Sequence, residues 1–361
     1  MFIIVVIGTG LSACHSDKRL APSFAIGTST DFHFESNGTT LSGVFDTPSA
    51  TQAKALVIFI HGYGPTDIRA GNAYNELRSR FNAIGIATAT WDKPGQGRSE
   101  GVFDINQSVY SSADEVVDAS KYLRKINAPG SNKIVLWGIS RAGWIAPLAM
   151  AKDDKLKFWI SISGTTAQDN FSYLLLSNLP YEGGTLDQAL LFDQEWRNGC
   201  EVFRTGGSFS NYLMATENLR RNEYITNMRG GWPTRLEYKF SQKSCIQGSC
   251  PNVDNNHCSY IFIKEFETLL LSLNVHVLAM FGEKDLNVDW RKTLALYQST
   301  IGKNTSASLK LATFADADHN LNISKTGSIK EMQAMSAPVK SDGYYQKQVD
   351  WLKQTVLINH P

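Results

Sequence analysis

No run of like charge interrupts this sequence. Across 361 residues, 35 Lys and Arg stand against 34 Asp and Glu, a formal net charge of +1, and the densest basic spot is the pair Arg220-Arg221. Nucleic-acid recognition needs a concentrated basic surface, so no nucleic-acid partner is expected. Repeats and low-complexity tracts are also missing, which excludes solenoids and tails. Cysteine is scarce, with five in all. A zinc site built from Cys245, Cys250, His257 and Cys258 would lack paired C-x-x-C units, and the adjacent His257 and Cys258 would have to reach one ion. No metal and no organic cofactor is therefore expected. What remains is an ordinary globular balance, 42% apolar and 19% charged, long enough for one large α/β domain with an insertion.

Met1 to Ile7 is almost wholly apolar, and the stretch closes on Leu11-Ser12-Ala13-Cys14. It is too short to span a bilayer as a permanent helix and suits the apolar centre of an export signal. Its last four residues resemble the lipobox of bacterial lipoproteins. That resemblance implies a lipid anchor on Cys14, export to the periplasm or outer membrane, and residues 1–14 as a removable signal. The usual Lys or Arg before the apolar run is absent. Residues 15–30, rich in Ser, Thr, Ala and Pro, read as a tether. Fatty-acid labelling that disappears in Cys14→Ala is the expected outcome. The remaining Cys200, Cys245, Cys250 and Cys258 form an even set, which in an exported chain predicts disulfides with three possible connectivities.

From Phe32 onward the pattern is strand-like. Asn37-Gly38 between two β-rich runs predicts a hairpin. The continuous β-rich run at 55–60 predicts a strand buried on both faces, and further strands are predicted at 86–91, 133–138, 158–163, 275–281 and 307–314. Helical stretches fall at 66–82, 108–127, 141–152, 288–301 and 344–357. The alternation predicts an α/β fold, a mostly parallel eight-stranded sheet covered by helices on both faces. Residues 165–265 break it and read as an inserted lid between two core segments, 31–164 and 266–361.

The chemistry concentrates at strand ends. Gly138-Ile139-Ser140-Arg141-Ala142-Gly143 follows a predicted strand and opens a predicted helix, the setting of a nucleophile elbow, with Ala142 where a second glycine is usual. Ser140 is the candidate nucleophile. His319 follows the last strand and is the candidate base. His276 lies inside a strand, His33 in the hairpin, and His15 and His360 near the termini. Asp285, in the loop after Phe281-Gly282, is the candidate acid that would orient the imidazole. Its rivals are Glu283, Asp289, Asp316 and Asp318, the last read as a loop cap. The turn His61-Gly62-Tyr63-Gly64 offers the Tyr63 amide as one oxyanion donor, and the residue after the nucleophile, Arg141, offers the other.

Taken together, His61-Gly-Tyr-Gly64, Gly138-x-Ser140, Asp285 and His319 resemble the α/β-hydrolase superfamily. So does the loop Asp92-x-x-Gly95-x-Gly97-x-Ser99. The nearest likeness is to its monoglyceride-lipase or serine-aminopeptidase-like branch. The resemblance implies the chain order nucleophile, acid, histidine, and hydrolysis of a small-molecule ester or acyl substrate through an acyl-enzyme. Phe171, Tyr173, Phe192, Trp196, Tyr212, Tyr224 and Trp232 would either line a lid for an apolar acyl chain or pack the insertion's own core. A peptidase or amidase would use the same triad, with Glu182, Asp187 or Glu195 placed to meet a free amine. The third reading is a non-catalytic surface lipoprotein that keeps the fold.

Overall fold

The computed structural model describes residues 27–49, 52–70, 74–105, 107–168, 170–229, 231–246 and 261–358. The expected signal and lipobox, most of the tether, and Cys250, His257, Cys258 and His360 lie outside them. So does the side chain of Cys245. The chain divides into two compact units, one of residues 168–262 and one of 21–167 with 263–361.

The larger unit is built on one eight-stranded sheet. Its strands are β1 (Ser29–Ser36), β2 (Thr39–Asp46), β3 (Ala55–Ile60), β4 (Ile86–Trp91), β5 (Ile134–Ile139), β6 (Phe158–Ile162), β7 (His276–Gly282) and β8 (Ser308–Phe314). The spatial order is β1-β2-β4-β3-β5-β6-β7-β8. The first two pairings, β1 with β2 and β2 with β4, are antiparallel, and the others are parallel. The hairpin turns through Asn37 (φ 50°) and Gly38 (φ 73°). Two successive left-handed residues match the strands' right-handed twist. Ser29 and Thr30, assigned to the tether by composition, pair with Asp46 and Phe45 and open β1.

Strands β3 and β4 are buried at every residue. Alternation divides their side chains between two faces. On one, Val57, Phe59, Val135, Trp137, Ile160 and Met280 join residues of α1 (Asn75–Ala83) and of the C-terminal helical segment 344–356. Trp137 sends its indole N–H to Gln348 Oε1 at 2.8 Å, so the ring is buried without an unmet donor. On the other face, Leu56, Ile58 and Leu136 are equally buried. There α2 (Val109–Lys125) and α3 (Ala142–Lys152) pack on each other, and α3 packs on β3 and β5. The helix expected at 66–82 begins only at Asn75; residues 65–70 form loop and turn.

The loop after β4 is organised by Asp92, which is fully buried. Its carboxylate accepts from Ile68 N (2.7 Å), Arg98 N (2.9 Å) and the Arg69 guanidinium (2.7 Å). Gly97 has φ +51°, and a Cβ there would lie 2.4 Å from the Asp92 carboxyl carbon. Only glycine fits so close to the buried acid. Ser99 Oγ donates to the Asp92 carbonyl (2.7 Å) and accepts from Ser42 N (2.9 Å), tying the loop to β2. The spacing of Asp92, Gly97 and Ser99 thus serves loop architecture.

The smaller unit is helical: α4 (Phe171–Asn178), α5 (Leu186–Arg204), α6 (Phe209–Ala215), α7 (Glu217–Arg221), α8 (Glu223–Arg229) and α9 (Arg235–Ile246). Helix α5 starts on a capping box in which Thr185 and Gln188 satisfy each other's backbone N–H. The unit's core is Leu175, Leu179, Ala189, Phe192, Leu219 and Ile225, with Phe171, Trp196, Tyr224 and Trp232 packed against it. Phe171 stacks on Trp196 at 4.0 Å, and Tyr212 meets Tyr238 at 5.0 Å. Six of the seven aromatics weighed as lid lining therefore pack inside the unit. Glu195, weighed as an amine partner, is buried and accepts from Asn218 Nδ2 and Leu219 N, both at 2.7 Å. It fastens α5 to α7.

Replacing Asp92 by Ala removes the acceptor of three charge-assisted hydrogen bonds and leaves the Arg69 guanidinium with only Asp31, Ser42 and the Gly43 carbonyl. A loss of about 2–4 kcal/mol is expected, read as a lower midpoint in urea unfolding at unchanged slope.

Candidate active site

Four adjacent strands, β5 to β8, each deliver one residue to the carboxyl edge of the sheet. Ser140 follows β5. Its φ of 55° is left-handed, a conformation costing a non-glycine residue about 1–3 kcal/mol. The turn is pinned by Ser140 N to the Ile162 carbonyl (2.9 Å) and by Gly143 N to the Ser140 carbonyl (2.7 Å). Strand and helix approach so closely that a Cβ on Gly138 would lie 2.4 Å from Ala142 Cβ. This explains the departure in the motif. Ala142 keeps its methyl because position 138 has none, and the second close approach falls on Gly143, whose Cβ would meet Thr165 N at 2.7 Å. Ser140 thus has the strained strand-to-helix turn that a nucleophile elbow requires.

Asp285 follows β7 and is 1% exposed. One oxygen accepts from Asn287 N (2.8 Å) and Val288 N (2.9 Å); the other meets His319 Nδ1 at 2.8 Å. A carboxylate in this position fixes Nδ1 as the donor and leaves Nε2 to act as base. Burial pulls the His319 pKa down, but the Asp285 charge and hydrogen bond, with Asp318 adding to them, outweigh it and hold it above the ordinary 6.5. Three of the four rivals of Asp285 have other work. Asp318 accepts from Asn320 N and Asn322 N (2.8 and 2.9 Å) as a loop cap, Asp289 caps α10 (Trp290–Ser299), and Asp316 holds Ser341.

Ser163, at the end of β6, was not singled out from the sequence. It too is left-handed (φ 46°), and its hydroxyl donates to the His319 carbonyl at 2.7 Å. The Ser163-Gly164 pair after a strand was the available signal. Lys284 and Lys340 donate to the Ser324 and Asn320 carbonyls, both at 2.6 Å, and steady the loop that carries His319.

The turn after β3 lies beside Ser140: a Cβ on Gly62 would sit 3.4 Å from the Ile139 carbonyl and 3.7 Å from Ser140 Cβ. Tyr63 is half exposed. His61 is a satisfied core histidine. Its Nε2 donates to the Trp91 carbonyl (2.8 Å), and burial together with the Lys93 charge pushes its pKa to about 4. The Arg141 side chain is buried, bonding Ser112 Oγ (3.0 Å) and the Gln107 carbonyl. His276, at the start of β7, bonds Ser308 Oγ at 2.8 Å. Among the described residues no group of His, Cys, Asp and Glu is arranged to hold a metal ion, and no helix is long and apolar enough to cross a membrane.

A doubly covered, mostly parallel sheet with a strained serine turn and a carboxylate-bound histidine at its carboxyl edge is an α/β-hydrolase fold. The family model described as "Serine aminopeptidase, S33" matches residues 51–176. The quorum-quenching protein AidA of Acinetobacter baumannii is 29% identical over 148 residues, 41% of this chain and 47% of that protein. The thiohydrolase apmlB of Arthrinium phaeospermum is 25% identical over 183 residues, 44% of this chain and 59% of that protein. The chain thus spans about half the length of the curated relatives it matches. A structure of DcsB in complex with its substrate analogue shares the fold, with a TM-score of 0.50 at 15% identity over 92% of this chain and all of that one.

Because His319 has a raised pKa in the fold, its pair with Asp285 stabilises the protein fully below pH 6.5 and loses that contribution as pH rises through the folded-state value. Asp285→Asn should therefore lower the melting temperature more at about pH 6 than at about pH 9. A deficit that does not change with pH would contradict the pairing.

Proposed function

We propose that this protein is a serine hydrolase that cleaves carboxylic esters of small molecules. The observation that carries the reading is the Asp285-oriented imidazole of His319, on the same sheet edge as a serine held in a left-handed turn. In this reading His319 Nε2 takes the Ser140 proton as Oγ attacks the ester carbonyl. The tetrahedral oxyanion is held by the Tyr63 and Arg141 amides. Collapse expels the alcohol, which takes its proton from His319, and an acyl-Ser140 ester remains. Water, deprotonated by His319, attacks that ester; the Ser140 oxygen leaves, takes the proton back from His319, and the acid is released. Asp285 stays ionised throughout and stabilises the imidazolium. The inserted helical unit keeps its expected role as a lid in this proposal. Attachment at Cys14 and disulfides among Cys200, Cys245, Cys250 and Cys258 belong to it as well.

Amide hydrolysis is the second reading, favoured by the match to the serine aminopeptidase family model. The thiohydrolase relative adds thioesters to the substrates worth comparing. Acyl esters, thioesters and aminoacyl amides should be compared on wild type and Ser140→Ala. Esters are expected to turn over fastest, with a loss of at least about 10³-fold in the variant. Equal rates for the two proteins would remove the serine mechanism, and a clear preference for aminoacyl amides would favour the second reading.

A further inference from the structure

Lys93 lies in the loop after β4, where its side chain would ordinarily be solvated. Instead its ammonium group bonds two backbone carbonyls, Gly62 O and Gly64 O, each at 2.6 Å. These flank Tyr63. The peptide joining Gly62 to Tyr63 is trans, and in a planar trans peptide the C=O and the following N–H point in opposite directions. Drawing the Gly62 oxygen toward Lys93 therefore aims the Tyr63 N–H away from it. Gly62 has no Cβ, so without a tether this peptide could rotate cheaply and present its oxygen where the N–H should be. On the far side, Gly64 has φ +87° and is followed by Pro65, whose ring fixes its own φ. The turn is thus held at both ends, beside Ser140 Cβ.

We infer that Lys93 is a positioning residue for the oxyanion hole, a clamp that keeps the Gly62–Tyr63 peptide in the orientation that donates to the reacting carbonyl oxygen. The inference rests on the serine-hydrolase reading above and adds a residue to it. The clamp is charged and partly desolvated. Arg141 at the start of α3, Glu115 on α2, His61 at the end of β3, and Tyr63 and Asp104 in the flanking loops are the titratable groups around it. Burial, with the Arg141 charge adding to it and Glu115 opposing, brings the Lys93 pKa down to about 8. A neutral amine is a weaker donor to carbonyls than an ammonium, so the clamp loosens as pH rises through that value.

The test uses the full chain and p-nitrophenyl butyrate, with kcat and KM measured for wild type, Lys93→Met and Lys93→Arg from pH about 6 to about 10. Losing one oxyanion donor costs about 10²–10³ in rate, so Lys93→Met should lose about 100-fold in kcat with KM within about threefold. Wild-type kcat should fall above pH about 8. Lys93→Arg, charged throughout, should restore most of the rate and lack that fall. If Lys93→Met does not fold, the two pH profiles decide alone. A kcat for Lys93→Met within about threefold of wild type, a loss confined to KM, or identical alkaline limbs in wild type and Lys93→Arg would each overturn the inference. Fluorophosphonate labelling of the wild type, located by peptide mass spectrometry, separates the two failures. Labelling at Ser140 with an unaffected Lys93→Met removes the clamp alone; absence of labelling at Ser140 removes the serine mechanism and the clamp with it.

Discussion

Strand β5 must become helix α3 across Ser140 and Arg141, with no loop between them. That reversal dictates the surroundings. Position 138 can carry no side chain because Ala142 Cβ stands there, and position 143 can carry none because the backbone of residues 164 and 165 crosses it. Ser140 is left with a left-handed backbone that its own side chain disfavours. A hydrogen bond to the next strand through the Ile162 carbonyl helps to hold the turn. Strain of about 1–3 kcal/mol is kept in place by a sheet whose central strands are wholly buried.

The same edge of the sheet carries two further left-handed residues, Ser163 after β6 and Leu321 in the loop beyond β8. Ser163 holds the His319 carbonyl, and Leu321 sits in the turn capped by Asp318. The histidine loop is therefore an assembly of backbone groups tied to side chains. Asp318, Lys284, Lys340 and Ser163 each meet one or more of its amides or carbonyls, and a Cβ at Gly327 would run into the Lys284 carbonyl at 1.7 Å. Such a loop can keep a buried imidazole against a buried carboxylate because few polar groups around it are left unmet.

Much of the fold was legible because burial on both faces writes itself as uninterrupted apolar runs. Ala55–Ile60 and Ile86–Trp91 are strands at the limits their composition marks. Ser140 and His319 were legible for a different reason: small residues around a serine and a polar loop after a strand are local signals. Lys93 carried none, since a lysine in a loop reads as solvated, and the Ser163-Gly164 pair reads only as a turn after a strand. Their roles depend on segments about 30 and about 156 residues away, at Gly62–Gly64 and His319. The aromatics of the insertion were ambiguous for a related reason. Phe192 and Trp196 are equally apt for a ligand or a core, and only their neighbours choose.

By itself, the sequence determined the order of the strands along the chain, the sharp bend at Ser140 and the hairpin at Asn37-Gly38. Each of these depends on residues adjacent in the chain, through backbone sterics and the periodicity of apolar side chains. Only the tertiary structure decided which carboxylate meets His319, why Ala142 is tolerated, and what holds Gly62 and Gly64. Those outcomes depend on distances between strand ends, which are set by the packing of the sheet.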